Sequence, residues 1–273
     1  MCSVGTLGGY GGKKGEWDIP EKLKRIKKAG FDGFLGRIPM ITAEHIEKSG
    51  LIFAATTDIG GVREIKGKFR AIRKAGARCV NVQMLDHDTP TNRAVTVARS
   101  VMAAAAELDM DVAIEVHRDT CTETPEKAYA LAEGYEKAEK HPLKMTWDFS
   151  HPAVVKHLSP PYWDRLALRP DLIQLAQQFH FRPFNGHHAQ VPALGRGGAL
   201  TPEFKDFMVF ADQVIGCWLE AATPGREMFA CPEQIAGGYM LSVFGDRFKD
   251  VQAIRRELDR SFKRRVKKWK PPA

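Results

Sequence analysis

Residues 111–117 read Asp-Val-Ala-Ile-Glu-Val-His. Successive side chains of a strand point to opposite faces. Val112, Ile114 and Val116 therefore share one face, and Ala113, Glu115 and His117 the other. The first face is wholly apolar and the second becomes polar toward its end. Three neighbouring stretches repeat the arrangement. Val80, Val82 and Met84 oppose Asn81, Gln83 and Leu85; Met145, Trp147 and Phe149 oppose Lys144, Thr146 and Asp148; Phe179 and Phe181 oppose His180 and Arg182. An apolar face of this kind suits a layer of helices, and its parity assigns Trp147 to core packing rather than to ligand stacking.

Working outward, short apolar runs alternate with amphipathic stretches, the pattern of a parallel sheet with helical crossovers. Strands are expected near Cys2–Gly8, Phe31–Ile38, Leu51–Thr57, Cys79–Leu85, Asp111–His117, Leu143–Phe149, Gln178–Arg182 and Met228–Glu233. Helices are expected at Glu21–Ala29, with Leu23, Ile26 and Ala29 on one face, and at Val62–Ala75, with Ile65, Phe69 and Ile72; a third covers Asn92–Leu108. Lys-Ala-Gly at 28–30 and at 74–76 reads as a helix end with glycine as the cap. Eight strands with crossovers count out to an α/β fold, a (β/α)8 TIM barrel in a single domain over residues 1–273, and 273 residues is close to the usual barrel size of about 250. No GxGxxG or GKS/GKT loop follows any strand, which disfavours a nucleotide fold. Phe184–Ala199, rich in Gly, His and Pro, reads as a long loop after the seventh strand.

A hydrophobic share of 44% with 27% charged excludes a disordered chain. No apolar run reaches the roughly 18 residues of a membrane span. Met1 to Gly12 lacks the basic and apolar regions of a signal peptide, which points to the cytoplasm. The five cysteines are scattered without a CxxC pair, so free thiols are expected rather than disulfides or a thiolate zinc site. Of the net charge of +8, residues 255–270 supply nine Lys/Arg against Glu257 and Asp259. The excess is thus a basic C-terminal helix and tail at about 246–273, read as a solvated face and not as a nucleic-acid surface.

Each polar residue at a strand end has an ordinary structural reading. Glu115 could pair with Arg118 or Arg182, His180 could be a satisfied core histidine, Asp148 could cap a helix near Pro152 with Ser150, and Glu233 could cap a loop. Their joint occurrence at the ends of the last four strands, the rim where barrel enzymes place their sites, argues for a functional site. Buried acids there are costly unless they pair or bind a metal.

Glu115 in Ile-Glu-Val-His, Asp148 and His151 in Trp-Asp-Phe-Ser-His, His180-Phe181-Arg182, Val191-Pro192, Gly195-Arg196-Gly197 and Glu233 in Cys-Pro-Glu resemble, in this order, the xylose-isomerase-like TIM-barrel superfamily of sugar phosphate isomerases and epimerases. The superfamily also contains hydroxypyruvate isomerases, inosose dehydratases and apurinic-site endonucleases, and the resemblance covers nearly the whole chain. It implies one divalent ion held by Glu115, Asp148, His180 and Glu233, with His151 near the substrate. Glu220 and Glu227 are nearby rivals of Glu233. Three carboxylates and an imidazole favour Mn2+ or Mg2+, with Zn2+ or Co2+ as alternatives. The resemblance implies a sugar, keto-sugar or keto-acid isomerase or epimerase in carbohydrate metabolism. Glu115 and Glu233 would be its acid and base beside a carbonyl, and the metal would stabilise an enediolate. Arg182, His117, His87, His187 and His188 are then candidate substrate contacts. His87 reads equally as a turn residue, and His187 and His188 as a loop tip. The partner is a small carbohydrate, without nucleic acid or membrane; a homo-oligomer is compatible with it.

Ketose epimerases typically carry an arginine a few residues after the metal histidine, where this chain has Asn185-Gly186-His187. A dehydratase or other lyase acting on a keto sugar or inosose is therefore the alternative with the same metal site. A phosphodiesterase of the endonuclease type is disfavoured. Its third strand would end in histidine, whereas this one ends Thr56-Thr57-Asp58, and the basic helix would lie away from the rim.

Overall fold

The alternating runs become eight short parallel strands in the computed structural model, which describes residues 1–12 and 15–272. These are β1 (Cys2–Ser3), β2 (Gly33–Gly36), β3 (Ile52–Ile59), β4 (Cys79–Met84), β5 (Val112–Glu115), β6 (Met145–Thr146), β7 (Gln178–Phe181) and β8 (Phe229–Pro232). Strands β1 to β6 form one sheet in sequential order, and β7 pairs with β8 in a second. The sequence predicts a continuous run of eight. The ladder is interrupted where strands are shortest. β6 stops after two residues as the chain turns into the site, and β1 stops where a 3-10 turn, Val4–Leu7, occupies the rest of the stretch expected to be strand. Contacts nevertheless span both gaps. The Trp147 carbonyl accepts from His180 N at 2.9 Å, Trp147 N donates to the Gln178 carbonyl at 3.2 Å, and the N-terminal ammonium of Met1 donates to the Ala230 carbonyl at 2.9 Å.

The helices are α1 (Ile19–Lys28), α2 (Ala43–Ser49), α3 (Val62–Ala75), α4 (Thr91–Glu107), α5 (Pro125–Glu139), α6 (Ser150–Val155), α7 (Trp163–Leu166), α8 (Pro170–Leu175), α9 (Pro202–Glu220) and α10 (Arg247–Val266). Side-chain caps start several of them: Asp18 accepts from Glu21 N, Thr124 from Lys127 N and Thr201 from Phe204 N. Gly76 ends α3 with φ 89°, the left-handed conformation that glycine adopts without strain. On α3 the buried residues are Ile65, Phe69 and Ile72, the face predicted from spacing.

The outward strand faces lie in the core, with Val80, Val82, Met84, Val112, Ile114, Met145, Trp147, Phe179 and Phe181 all buried. Burial of each such side chain contributes about 1.5–3 kcal/mol. Trp147 stacks on Phe149 with ring centres 5.0 Å apart and donates Nε1–H to the Leu172 carbonyl, so its outward parity does make it a core residue. All five cysteines are free and buried. Among the described residues, no helix is long and apolar enough to cross a membrane. The basic C-terminal stretch is largely α10, and Asp212 of α9 accepts from Arg264 at 2.5 Å and Arg265 at 2.6 Å.

Candidate metal centre and active site

The parallel register brings the polar faces of β4 to β8 together at one end. Glu115, the last residue of β5, pairs in register with Thr146, and His180 of β7 with Cys231. Asp148 follows β6 by two residues, and Glu233 follows β8 directly. Ligand atoms of Glu115, Asp148 and His180 lie within 4.8 Å of one another, and all three residues are buried. Glu233 is buried beside them, its Oε2 at 3.9 Å from His180 Nδ1, but its main partner is Arg182.

Each carboxylate has one oxygen committed to the protein. Glu115 Oε2 accepts from Asn81 Nδ2 at 2.6 Å and Gln83 Nε2 at 2.8 Å, while Oε1 lies 2.7 Å from His180 Nδ1. Asp148 Oδ1 accepts from Ser150 N at 3.0 Å and Ser150 Oγ at 2.6 Å, although Phe149 and not Asp148 holds the N-cap position of α6. Asp148 Oδ2 is left facing His151 Nε2 and Arg182 Nη2, each at 3.3 Å, without a hydrogen bond of proper geometry. His180 Nδ1 is likewise close to Glu115 yet makes no well-directed hydrogen bond. Two unsatisfied buried ligand atoms beside a third, oxygen-dominated donor are what a divalent cation requires, and the residues present fit such an ion.

The electrostatics reflect crowded charge. Burial alone would raise the Glu115 carboxyl, but the His180 cation outweighs it and holds the group well below the ordinary carboxylate range. Burial would lower His180, but Glu115 and Glu233 lift it to about 9. Asp148 is held low against burial, chiefly by Arg182. Burial depresses His151 against the opposing pull of Asp148. Arg182 stays charged against burial because Asp148 and Glu233 flank it.

The centre opens into a cavity of about 440 Å³. Glu115, His180, Arg182, Glu233 and His117 line it, whereas Asp148 and His151 lie behind its wall. The rings of His117 and His151 are 4.3 Å apart. The other sequence candidates are elsewhere. His87 is exposed and pairs with Asp119 Oδ1 at 2.7 Å, and His187 and His188 sit on an exposed turn, their N–H groups bound to Asn185 Oδ1. None of these three lines the cavity. Glu115 pairs with neither Arg118 nor Arg182, unlike its structural reading; Arg182 goes to Glu233.

Sequence reasoning missed Tyr239. Its ring lies 4.4 Å from the guanidinium carbons of both Arg118 and Arg182 and lines the cavity. The only cue was an aromatic residue beside Gly237-Gly238 in the loop after the last strand. Tyr239 is placed by Gln190, from the long loop after β7. The Gln190 side chain accepts from Ile235 N at 2.7 Å and donates to the Ile235 carbonyl at 3.1 Å, and Gln234 Nε2 donates back to the Val191 carbonyl at 2.8 Å. Asp250 of α10 secures the same loop from outside by accepting from Ala193 N and Leu194 N.

No protein-family model and no curated protein sequence matches the chain. Solved structures do match in shape. A xylose isomerase-like TIM barrel protein from Mycobacterium smegmatis in complex with magnesium is 14% identical, with 96% of this chain and 97% of that chain covered at TM-score 0.57. D-allulose 3-epimerase from Methylomonas sp. in complex with D-allulose is 10% identical over 95% and 96% of the two chains, at TM-score 0.60. A probable 3-DHS dehydratase from Bacillus anthracis is 15% identical over 95% and 97%, at TM-score 0.55. Structures of this shape include forms with magnesium and with zinc. At these identities the likeness is one of fold, that of the xylose-isomerase-like TIM barrels, as the motifs led one to expect.

Proposed function

We propose that the chain closes as a (β/α)8 barrel and works as a divalent-metal-dependent isomerase or epimerase on a keto sugar. The observation that carries the reading is the convergence of Glu115, Asp148 and His180, with Asp148 Oδ2 and His180 Nδ1 buried and unsatisfied, beside a sugar-sized cavity that Glu115 and His180 line. Glu115, Asp148, His180 and Glu233 would hold the ion, and their donor set suits Mn2+ or Mg2+. When bound, such an ion supplies Lewis acidity at the substrate carbonyl.

The protein's part is to position groups and move a proton. Glu115 and Glu233 approach the same ring nitrogen of His180 from two strands, and in this reading they take and return the proton on the carbon beside the carbonyl. His151 stands behind Asp148, its Nε2 3.3 Å from Oδ2 without a well-directed hydrogen bond. His117 and Arg182 offer hydrogen bonds to substrate hydroxyls, and Tyr239 lines the same cavity. Elimination of water begins with the same proton removal, and the dehydratase of the same fold supports it as the second reading.

The test is solvent deuterium incorporation, followed by NMR with Mn2+ across keto sugars, sugar phosphates and inososes. Exchange at the carbon beside the carbonyl is expected, and Glu115→Gln and Glu233→Gln should abolish it. Full exchange in both variants would remove the proton-transfer roles. A product lighter by one water would select the lyase.

A further inference from the structure

Most cations around the cavity are already balanced. Lys22 pairs with Glu16, Arg37 with Asp58, and Arg182 with Glu233. Arg118 is different. It stands exposed on the turn after β5, lines the cavity, and has no carboxylate at ion-pair distance among the described residues. Its guanidinium rests on Tyr239 instead, at 4.4 Å, a contact that orients the fork without neutralising it.

The second guanidinium on that ring is that of Arg182, which is 3% exposed. Its Nη2 serves Glu233, but its Nε and Nη1 are buried and have no hydrogen-bond partner. Unpaired buried donors are unfavourable until an acceptor arrives. Two guanidiniums against one aromatic ring, one with free charge and one with free donors, match the several oxygens of a compact anion.

We propose that Arg118 and Arg182, set by Tyr239, recognise an anionic group, carboxylate or phosphate, carried by the substrate of this cavity. The proposal rests on the reading of the cavity as the sugar site. It adds that neutral keto sugars are poor ligands, because they leave the Arg118 charge unanswered.

Calorimetric binding to the Mg2+-loaded protein tests it, with D-glucuronate, D-glucose 6-phosphate and neutral D-glucose as probes. At least one anion should bind about tenfold or more tightly than glucose. Which anion prevails identifies the group. Arg118→Gln should erase that margin and Arg118→Lys should restore part of it, while the Mg2+-induced rise in Tm reports an intact fold in both. The proposal is overturned if neither anion binds better than glucose, or if Arg118→Gln keeps the margin. Deuterium exchange separates it from the broader reading. Exchange in a neutral keto sugar but not in its anionic counterpart overturns the anion site alone. Arg118-dependent anion binding without exchange in any probe supports the anion site and overturns the isomerase.

Discussion

Asn81 Nδ2 donates to Glu115 Oε2 at 2.6 Å, so this carboxylate meets the cavity with one oxygen already occupied. Gln83 shares the task, and Arg37 Nη2 in turn donates to Gln83 Oε1 at 3.0 Å, which fixes the amide with its NH2 group toward Glu115. The outer residues thereby decide which oxygen of Glu115 is free. Partners of this kind tune metal sites by about 10–100-fold in affinity. Asn81→Ala is expected to weaken Mn2+ binding by at least about tenfold in a titration; unchanged affinity would show that the amide contact is only structural.

Metal and stability are linked if the cluster binds an ion. At about 100 times Kd, Mn2+ adds about 2.7 kcal/mol to folding stability. Melting with Mn2+ should therefore exceed melting in chelator, and Asp148→Asn should lose most of the increment because it removes one of the three converging ligands. A melting curve indifferent to Mn2+, Mg2+ and chelator alike would count against the metal centre.

Trp147 is buried at 2% exposure, stacked on Phe149 and turned from the cavity. Trp147→Ala should cost about 3–5 kcal/mol in urea unfolding, while the Mn2+ increment persists. Loss of metal or sugar binding in a still-folded variant would mean that the ring reaches the site.

Asp250 supplies a pH dependence away from the metal. Burial raises its pKa from 3.8 to about 6, although the N–H groups of Leu194 and Ala193 partly relieve it. Between those values the folded state holds more protons than the unfolded state, so stability falls as pH rises through the window. Asp250→Asn does not titrate. The difference in Tm, variant minus native, should therefore grow from about pH 4 to about pH 6 and then level off. A difference independent of pH would show that Asp250 titrates alike in both states.

The strand interiors were readable because period-two alternation is a direct consequence of backbone geometry. Glu115, His180 and Arg182 interrupt an otherwise apolar pattern, and the registry of parallel strands then gathers them. Loop residues carry no such period. His87, His187 and His188 were plausible by type, yet local carboxylate and Asn185 contacts hold them on the surface. Tyr239 was missed for the converse reason: its position depends on Gln190 of a different loop, 49 residues away in sequence. The early ending of β1 was also hidden, since Val4 and Leu7 are as apolar in a 3-10 turn as they would be in a strand.

The Gln190 side chain binds Ile235 through both its carbonyl and its amide, as a neighbouring strand would. The segments that follow β7 and β8 are therefore latched to each other, and Asp250 latches them to α10. One bank of the cavity is thus built to stay still. The turn after β1 is tied to the same helix, the Gly8 carbonyl accepting from Arg247 Nη2 at 2.5 Å, while Met40, 52% exposed after β2, faces the same cavity.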